Sequence, residues 1–441
     1  MVPFRKRALR TFGIALVTIA ICVLLLVVSA FLPQNRIHEN FRKSLEFLSS
    51  EGLYPSVGDR MPSSQLDNFT DSIILLESDV LQKSALENLW YCPVNHVDEP
   101  DFENAATKTI QRFLNDDMTD MQPYYYVRYW MGFRAPMRFL LTFFNYSGIR
   151  RILSAVVFIF IALTAYSINR YTQSKYAFAF LLSVILVKPA VFSQSVTCSC
   201  CFIIAPLAML FIPSLYRSKR FVFTFFMVVG MVTQFFDFYT TPIITLCYPL
   251  LYYLLLVQRY EKPRTSDLVK FILKVSGMWL LGYVFMWLVK LGLTTIFTDV
   301  NGFADGFFRF LEWNGVPPPT DSLAGLTIFD MLKAVAISIF RSKRWALLFA
   351  LIFVLLTIIL LLCIKRKKIL IVKATGALWG FLLVAVLPLI WFCVAKRPTY
   401  VHAWFQYRSV CVLYFGLLCA ILSRLRRPAF SPHPGENLSK T

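Results

Sequence analysis

Residues 11–47 read TFGIALVTIAICVLLLVVSAFLPQNRIHENFRKSLEF, and this stretch decides the fold. From Phe12 to Leu32 there is no charged residue, and at Pro33 the chain turns polar at once. About 20 apolar residues wound as a helix cross the roughly 30 Å core of a bilayer. The run is longer than the apolar core of a cleaved signal peptide, and no clear small-x-small cleavage site precedes Pro33. It reads as a retained signal-anchor helix, with Arg5, Lys6, Arg7 and Arg10 ahead of it. The polar segment that follows, Pro33 to Pro136, holds 16 of the chain's 25 acidic residues.

The rest of the chain repeats the apolar theme. Of 441 residues, 57% are hydrophobic and 16% charged, with mean hydropathy +0.60, too little charge for a soluble surface of this size. The runs are long rather than short and alternating, which excludes a transmembrane barrel. The expected fold is an all-α polytopic membrane protein with about ten transmembrane helices and a large helical first outer loop. The spans are expected near 12–32, 150–167, 177–193, 200–215, 221–238, 242–257, 268–289, 345–363, 373–394 and 409–423. The parts are then residues 1–32 (cytoplasmic N-terminus and first span), the outer loop 33–149, spans two to seven over 150–289, a second outer loop 290–344, the last three spans over 345–424, and a cytoplasmic tail 425–441 of disordered composition.

A net charge of +20 invites a nucleic-acid reading. Its distribution argues against one. With the N-terminus inside, the inner segments carry 23 basic residues against Glu261, Asp267 and Glu436. Every inner connection is basic, as the positive-inside rule requires. The charge reports topology, with both termini cytoplasmic. Only Cys92 of the ten cysteines falls in the large outer segment, so there is no disulfide framework there. Cys198, Cys200 and Cys201 lack an accompanying histidine or second pair and read as soft apolar packing.

Within the first loop, residues 39–51 have helical periodicity, a second helix is expected from Gln65 to Leu89, and a third spans 101–114. The run Tyr124-Tyr125-Tyr126-Val127-Arg128-Tyr129-Trp130 suits the headgroup layer, as does a short helix over 136–147. The second loop holds Gly302, Gly306, Gly315 and Pro317-Pro318-Pro319, then an amphipathic stretch 327–341.

Four groups of residues could carry chemistry. Asp67 and Asp71 are four apart and share one face of a helix, where like charges repel unless a cation or a substrate hydroxyl lies between them. One could serve as a general base; the bland alternative is that Asp67 caps the helix and Asp71 is solvated. Asn68-Phe69-Thr70 is also a glycosylation sequon. Asp237 stands among aromatics at a membrane boundary and needs a partner or a cavity, with Lys188 or Arg408 in range of the expected topology. Arg128, Arg134, Lys188 and Arg408 belong to a set of cations at the outer ends of spans, where guanidinium forks suit phosphate. His402 is one of four histidines and lies just before the last span. No paired His or Cys-x-x-Cys arrangement, phosphate-binding Gly loop or nucleophile elbow is present, and no metal site is assigned.

The order of these parts resembles the GT-C superfamily of integral membrane glycosyltransferases over about residues 10–425. Those enzymes place one span before a large outer loop with interfacial helices and a catalytic acid. A second sizeable outer loop often follows the seventh span. Arg128-Tyr129-Trp130-Met131-Gly132 and His402-Ala403-Trp404-Phe405 are similar to segments of bacterial multi-spanning proteins. The resemblance implies a polyprenyl-phosphate-linked sugar donor, a glycan or lipid acceptor, and a role in cell-envelope polysaccharide or glycolipid assembly in a bacterial plasma membrane. It implies Asp67 or Asp71 as base, with Arg128, Arg134, Lys188, Asp237, His402 and Arg408 binding substrate. Inversion at the sugar is implied too, and a divalent metal (Mg or Mn) is compatible but not required. The chain departs from the family in lacking a paired acid close after the first span; Asp116-Asp117 comes late in the loop, and there is no Trp-Trp-Asp. The alternative reading is a lipid-linked saccharide transporter or flippase, or another multi-spanning transporter, which would favour broken helices in matching halves, whereas here the polar residues concentrate at the outer edge and the halves do not match. A membrane acyltransferase would call for a histidine inside a span, and all four histidines lie outside the expected spans. A tag inserted after Gly52 is expected to be labelled from outside intact cells, and labelling only from the cytoplasm would invert the topology.

Overall fold

The computed structural model describes residues 4–79, 85–119, 121–313, 325–340 and 375–426, with 347, 351, 358, 362, 365 and 370–371. It is an all-α membrane protein. Among the described residues, seven helices are long and apolar enough to cross a bilayer: Ala8–Ala30, Tyr146–Tyr171, Val196–Ser218, Ile243–Tyr260, Thr265–Phe297, Gly376–Val394 and Ala403–Ser423. Two shorter apolar helices, Ser174–Ile185 and Val222–Phe236, stand where further spans were expected. The 12-residue Ser174–Ile185 helix reaches only about 18 Å at 1.5 Å per residue, short of a bilayer core. Lys188, in a left-handed conformation, then turns the chain into the Pro189–Phe192 helix. Apart from isolated positions, the expected span 345–363 lies outside the described residues, as do Pro317-Pro318-Pro319 and residues 427–441.

The tightest crossing in the bundle joins Val222–Phe236 to Thr265–Phe297. A Cβ on Gly230 would collide with the Trp279 carbonyl, and one on Gly282 with the Met227 carbonyl. In lipid, helices associate by close packing rather than by expulsion of water, so small residues set the approach. Trp279 Nε1 donates to Thr245 Oγ1 at 3.1 Å, and the Thr233 and Thr245 hydroxyls bond at 2.8 Å, adding the Ile243–Tyr260 helix.

The first-loop segment folds into a domain on one end of this bundle. Helix Gln34–Glu51 buries Ile37, Phe41, Leu45 and Leu48, a stripe at helical spacing. These pack with Ile74 and Leu75 of helix Asn68–Asp79 and with Ile110 and Phe113 of helix Phe102–Leu114. The latter begins where the Asp101 carboxylate accepts from the Glu103 and Asn104 amides. The helix expected over 65–89 is two described pieces, Asn68–Asp79 and Ala85–Tyr91. The aromatic run begins in a strand and ends in the protein interior. Met121–Tyr125 pairs antiparallel with Pro93–Val97, and Trp130 is buried, donating to Met286 O at 2.8 Å. Period alone gave no strand signal here, because Met121-Gln122-Pro123 does not alternate and Tyr124, Tyr125 and Tyr126 are consecutive aromatics. The helix expected over 136–147 is Arg134–Leu141, and Phe139, Phe143 and Phe144 remain exposed.

Loop domain and bundle are joined by buried cations. Arg138 donates to Ser29 O and Gln34 Oε1, each at 2.9 Å, while within the loop domain Arg134 pairs with Glu77 at 2.6 Å. Arg150 pairs with Glu51 at 2.7 Å, and Lys290, fully buried in a span, donates to Trp90 O at 2.9 Å. Removing one partner of such a pair strands a buried charge, which costs several kcal/mol.

Overpacking the crossing should be felt at once. Gly230→Val or Gly282→Val is expected to destabilise the detergent-solubilised protein by about 1–3 kcal/mol or more, read as a lower Tm. Gly277→Ala, with nothing near its added Cβ, should leave Tm unchanged or slightly raised.

Candidate functional site

Where the loop domain meets the bundle lies a cavity of about 240 Å³. Its floor is the glycine crossing: Gln234 follows Gly230 by one turn, and Leu280, Tyr283, Val284 and Trp287 flank Gly282. The loop contributes Arg128 and Tyr129, and the segment before the last span contributes Gln406. Helix Gly302–Trp313 closes one side with Gly306, Arg309 and Phe310. That helix is seated by two glycines. A Cβ on Gly302 would stand 2.6 Å from Leu291 O, and one on Gly306 2.9 Å from Leu291 Cδ1.

The polar groups around this space are not all satisfied. Arg128 is 6% exposed; its Nη1 donates to both carboxylate oxygens of Asp305 at 3.1 Å and its Nη2 to the Tyr124 hydroxyl at 3.1 Å. Its Nε has no partner, and neither do Gln234 Oε1, Tyr283 Oη and Trp391 Nε1, all buried atoms of cavity-lining residues. A buried polar atom without a partner costs about 1–3 kcal/mol, so four around one space mark a place for a polar ligand or ordered water. Arg309 adds a second guanidinium, paired with Glu312 at 2.6 Å.

Asp67 and Asp71 come together, but not on this cavity. Asp67 Oδ1 accepts the Thr70 amide at 3.0 Å and so caps helix Asn68–Asp79. Asp71 is not solvated; it is fully buried, accepting from the Tyr146 hydroxyl, Ser195 Oγ at 3.2 Å, and Thr197 Oγ1 at 3.0 Å. Burial, and then the adjacent Asp71 carboxylate, push Asp67 up to about 7, against the Thr70 bonds and the nearby Arg408. Burial also raises Asp71, against its hydrogen bonds and Arg150. Among the described residues no group of three or more His, Cys, Asp or Glu side chains that could hold a metal ion gathers here or elsewhere.

The remaining expected residues scatter. Arg408 is buried beside the acid pair and touches Cys198 Sγ at 3.4 Å and Ser63 O at 3.3 Å; it does not reach Asp237. Gln406, two residues earlier, lines the cavity, whereas neither acid does. Lys188 pairs with Asp59 at 3.0 Å, not with Asp237. Asp237 closes a tight turn, accepting the Thr240 amide and hydroxyl, next to the cavity tyrosines. Arg134 pairs with Glu77 inside the loop domain, and His402 is exposed and stacks on Phe405. Of the expected binding residues, Arg128 alone lines the cavity. Sequence reading missed Arg309 and Asp305, although Asp305, Arg309 and Glu312 recur at helical spacing beside Gly302 and Gly306.

A carboxyl raised in the folded state is protonated there while the unfolded chain has already ionised. Asp67 therefore withdraws stability as pH rises from about 4, its unfolded value, to about 7. Asp67→Asn should flatten that descent in the difference between mutant and wild-type melts from pH 4 to 8; an unaltered difference would refute the raised carboxyl. No protein-family model matches the chain, and no curated protein or solved structure is similar to it.

Proposed function

We propose that the protein is a membrane glycosyltransferase, taking a sugar from a polyprenyl-phosphate donor and passing it to a glycan or lipid acceptor at the outer face of a ten-span membrane domain. The observation that carries this reading is the composition of the cavity: two guanidinium groups, an aromatic wall, and unpartnered polar atoms beside lipid-facing side chains. At about 240 Å³ it is smaller than the roughly 300–1,000 Å³ of sites for drug-sized ligands, and so suits a sugar-phosphate headgroup rather than a whole lipid. Leu280, Val284 and Val394 on its wall are also exposed on the apolar surface of the bundle, which leaves a prenyl chain a way out into the bilayer.

Each component has a part in the chemistry. Arg128 and Arg309 offer forks to the phosphate. The faces of Tyr129, Tyr239, Tyr283 and Trp391 suit sugar C–H groups, and Gln234 Oε1, Tyr283 Oη and Trp391 Nε1 suit its hydroxyls. As the acceptor oxygen attacks the anomeric carbon, charge builds on the departing phosphate. Fixed cations in a site poor in water stabilise that charge without reorganising. The buried Asp71 ties the loop domain to Tyr146, Ser195 and Thr197.

Membranes carrying Arg128→Ala or Arg309→Ala should move label from polyprenyl-phosphate hexose or pentose donors into membrane glycans about 100-fold more slowly than wild type. Transfer from none of these donors by wild-type protein, or full rates in both variants, would sink the assignment.

A further inference from the structure

We infer that Asp305, on the second-loop helix, is the general base of the transfer; this rests on the cavity being the donor site. A glycosyl transfer of this kind needs a carboxylate within hydrogen-bond reach of the reacting hydroxyl. The acids first in view do not meet that need. Asp71 is taken up by four hydrogen bonds from Tyr146, Ser195 and Thr197. Asp67 caps its own helix and does not line the cavity, and Asp237 is closed on Thr240. Asp305 is different. It precedes the cavity-lining Gly306 and shares a helix face with Arg309, four residues on. Its side chain is 30% exposed, so a hydroxyl can reach it.

The contact with Arg128 supplies the rest of the geometry. Both Asp305 oxygens sit 3.1 Å from one nitrogen, Nη1, and Nε of the same guanidinium is buried and unpartnered. A phosphate accepting from Nε and a carboxylate held on Nη1 would occupy two sides of one rigid fork, with the anomeric carbon between them. The acceptor hydroxyl gives its proton to an Asp305 oxygen as its lone pair forms the new bond to the anomeric carbon. The anomeric carbon–oxygen bond to phosphate breaks, its electron pair leaves on the phosphate oxygen, and the configuration inverts. Glu312, the other acid on this helix beside a cavity cation, is bonded to Arg309, lies two turns further along and is 42% exposed.

The test uses the full chain purified in detergent, with the polyprenyl-phosphate sugar that wild type transfers. Asp305→Asn is expected to lower kcat about 100-fold or more while the donor KM changes less than about threefold. Formate should restore part of the rate to Asp305→Gly, an effect that a purely structural role cannot produce. For a result independent of whether those variants fold, wild type is treated with a water-soluble carbodiimide and glycine methyl ester. Activity should fall in step with labelling of Asp305 followed by mass spectrometry. Near-wild-type kcat in Asp305→Asn, no formate rescue in a folded Asp305→Gly, or labelling of Asp305 without inactivation would each overturn the inference. Failure of wild type to use any such donor would instead remove the donor-site reading beneath it.

Discussion

The close backbone contacts at Gly230 and at Gly282 are the constraint on which the site depends. Those two positions let the Val222–Phe236 and Thr265–Phe297 helices touch carbonyl to α-carbon. Everything on the cavity floor is indexed to those contacts, because Gln234 and Tyr283 are within one helical turn of them. Trp279, whose carbonyl is the one approached, also holds the neighbouring helix through Thr245. A side chain at either glycine would separate the helices and move the floor, since packed interiors transmit displacement rather than absorb it.

Above this floor, the cations divide into two kinds. Arg138, Arg150 and Lys290 spend their donors on carboxylates and carbonyls that join the loop domain to the bundle, and Arg134 spends its own on Glu77 within the loop domain. Burying a charge demands that it be paired, so these positions are structural anchors however well guanidinium suits phosphate. Arg128 and Arg309 are paired as well, but each also lines the cavity, and Arg128 keeps an unused buried donor. An arginine's residue type states what it could bind. Only its surroundings state what it has left to bind with.

Several parts were legible before the structure. Helix Gln34–Glu51 follows from the spacing of Phe41, Leu45 and Leu48, and helix Phe102–Leu114 from its Asp101 cap and its apolar stripe. The pairing of Pro93–Val97 with Met121–Tyr125 was not legible, because the strands are separated by a helix and each is short and contains a proline. Asp67 and Asp71 were correctly seen as a close pair. Their enclosure by Tyr146, Ser195 and Thr197 could not be seen, as those donors come from remote parts of the chain.

By itself, the sequence determined that the chain is an α-helical membrane protein with an acidic domain after its first span, because hydrophobic length and loop charge are local quantities that a bilayer reads directly. Tertiary structure alone decided which polar residues share a cavity. It brought Arg128 to Asp305, set Gln406 near Gln234, and drew Asp67 towards Arg408. Those meetings depend on the distance between helices and on which buried charges find partners, and neither is written in any one segment of the chain.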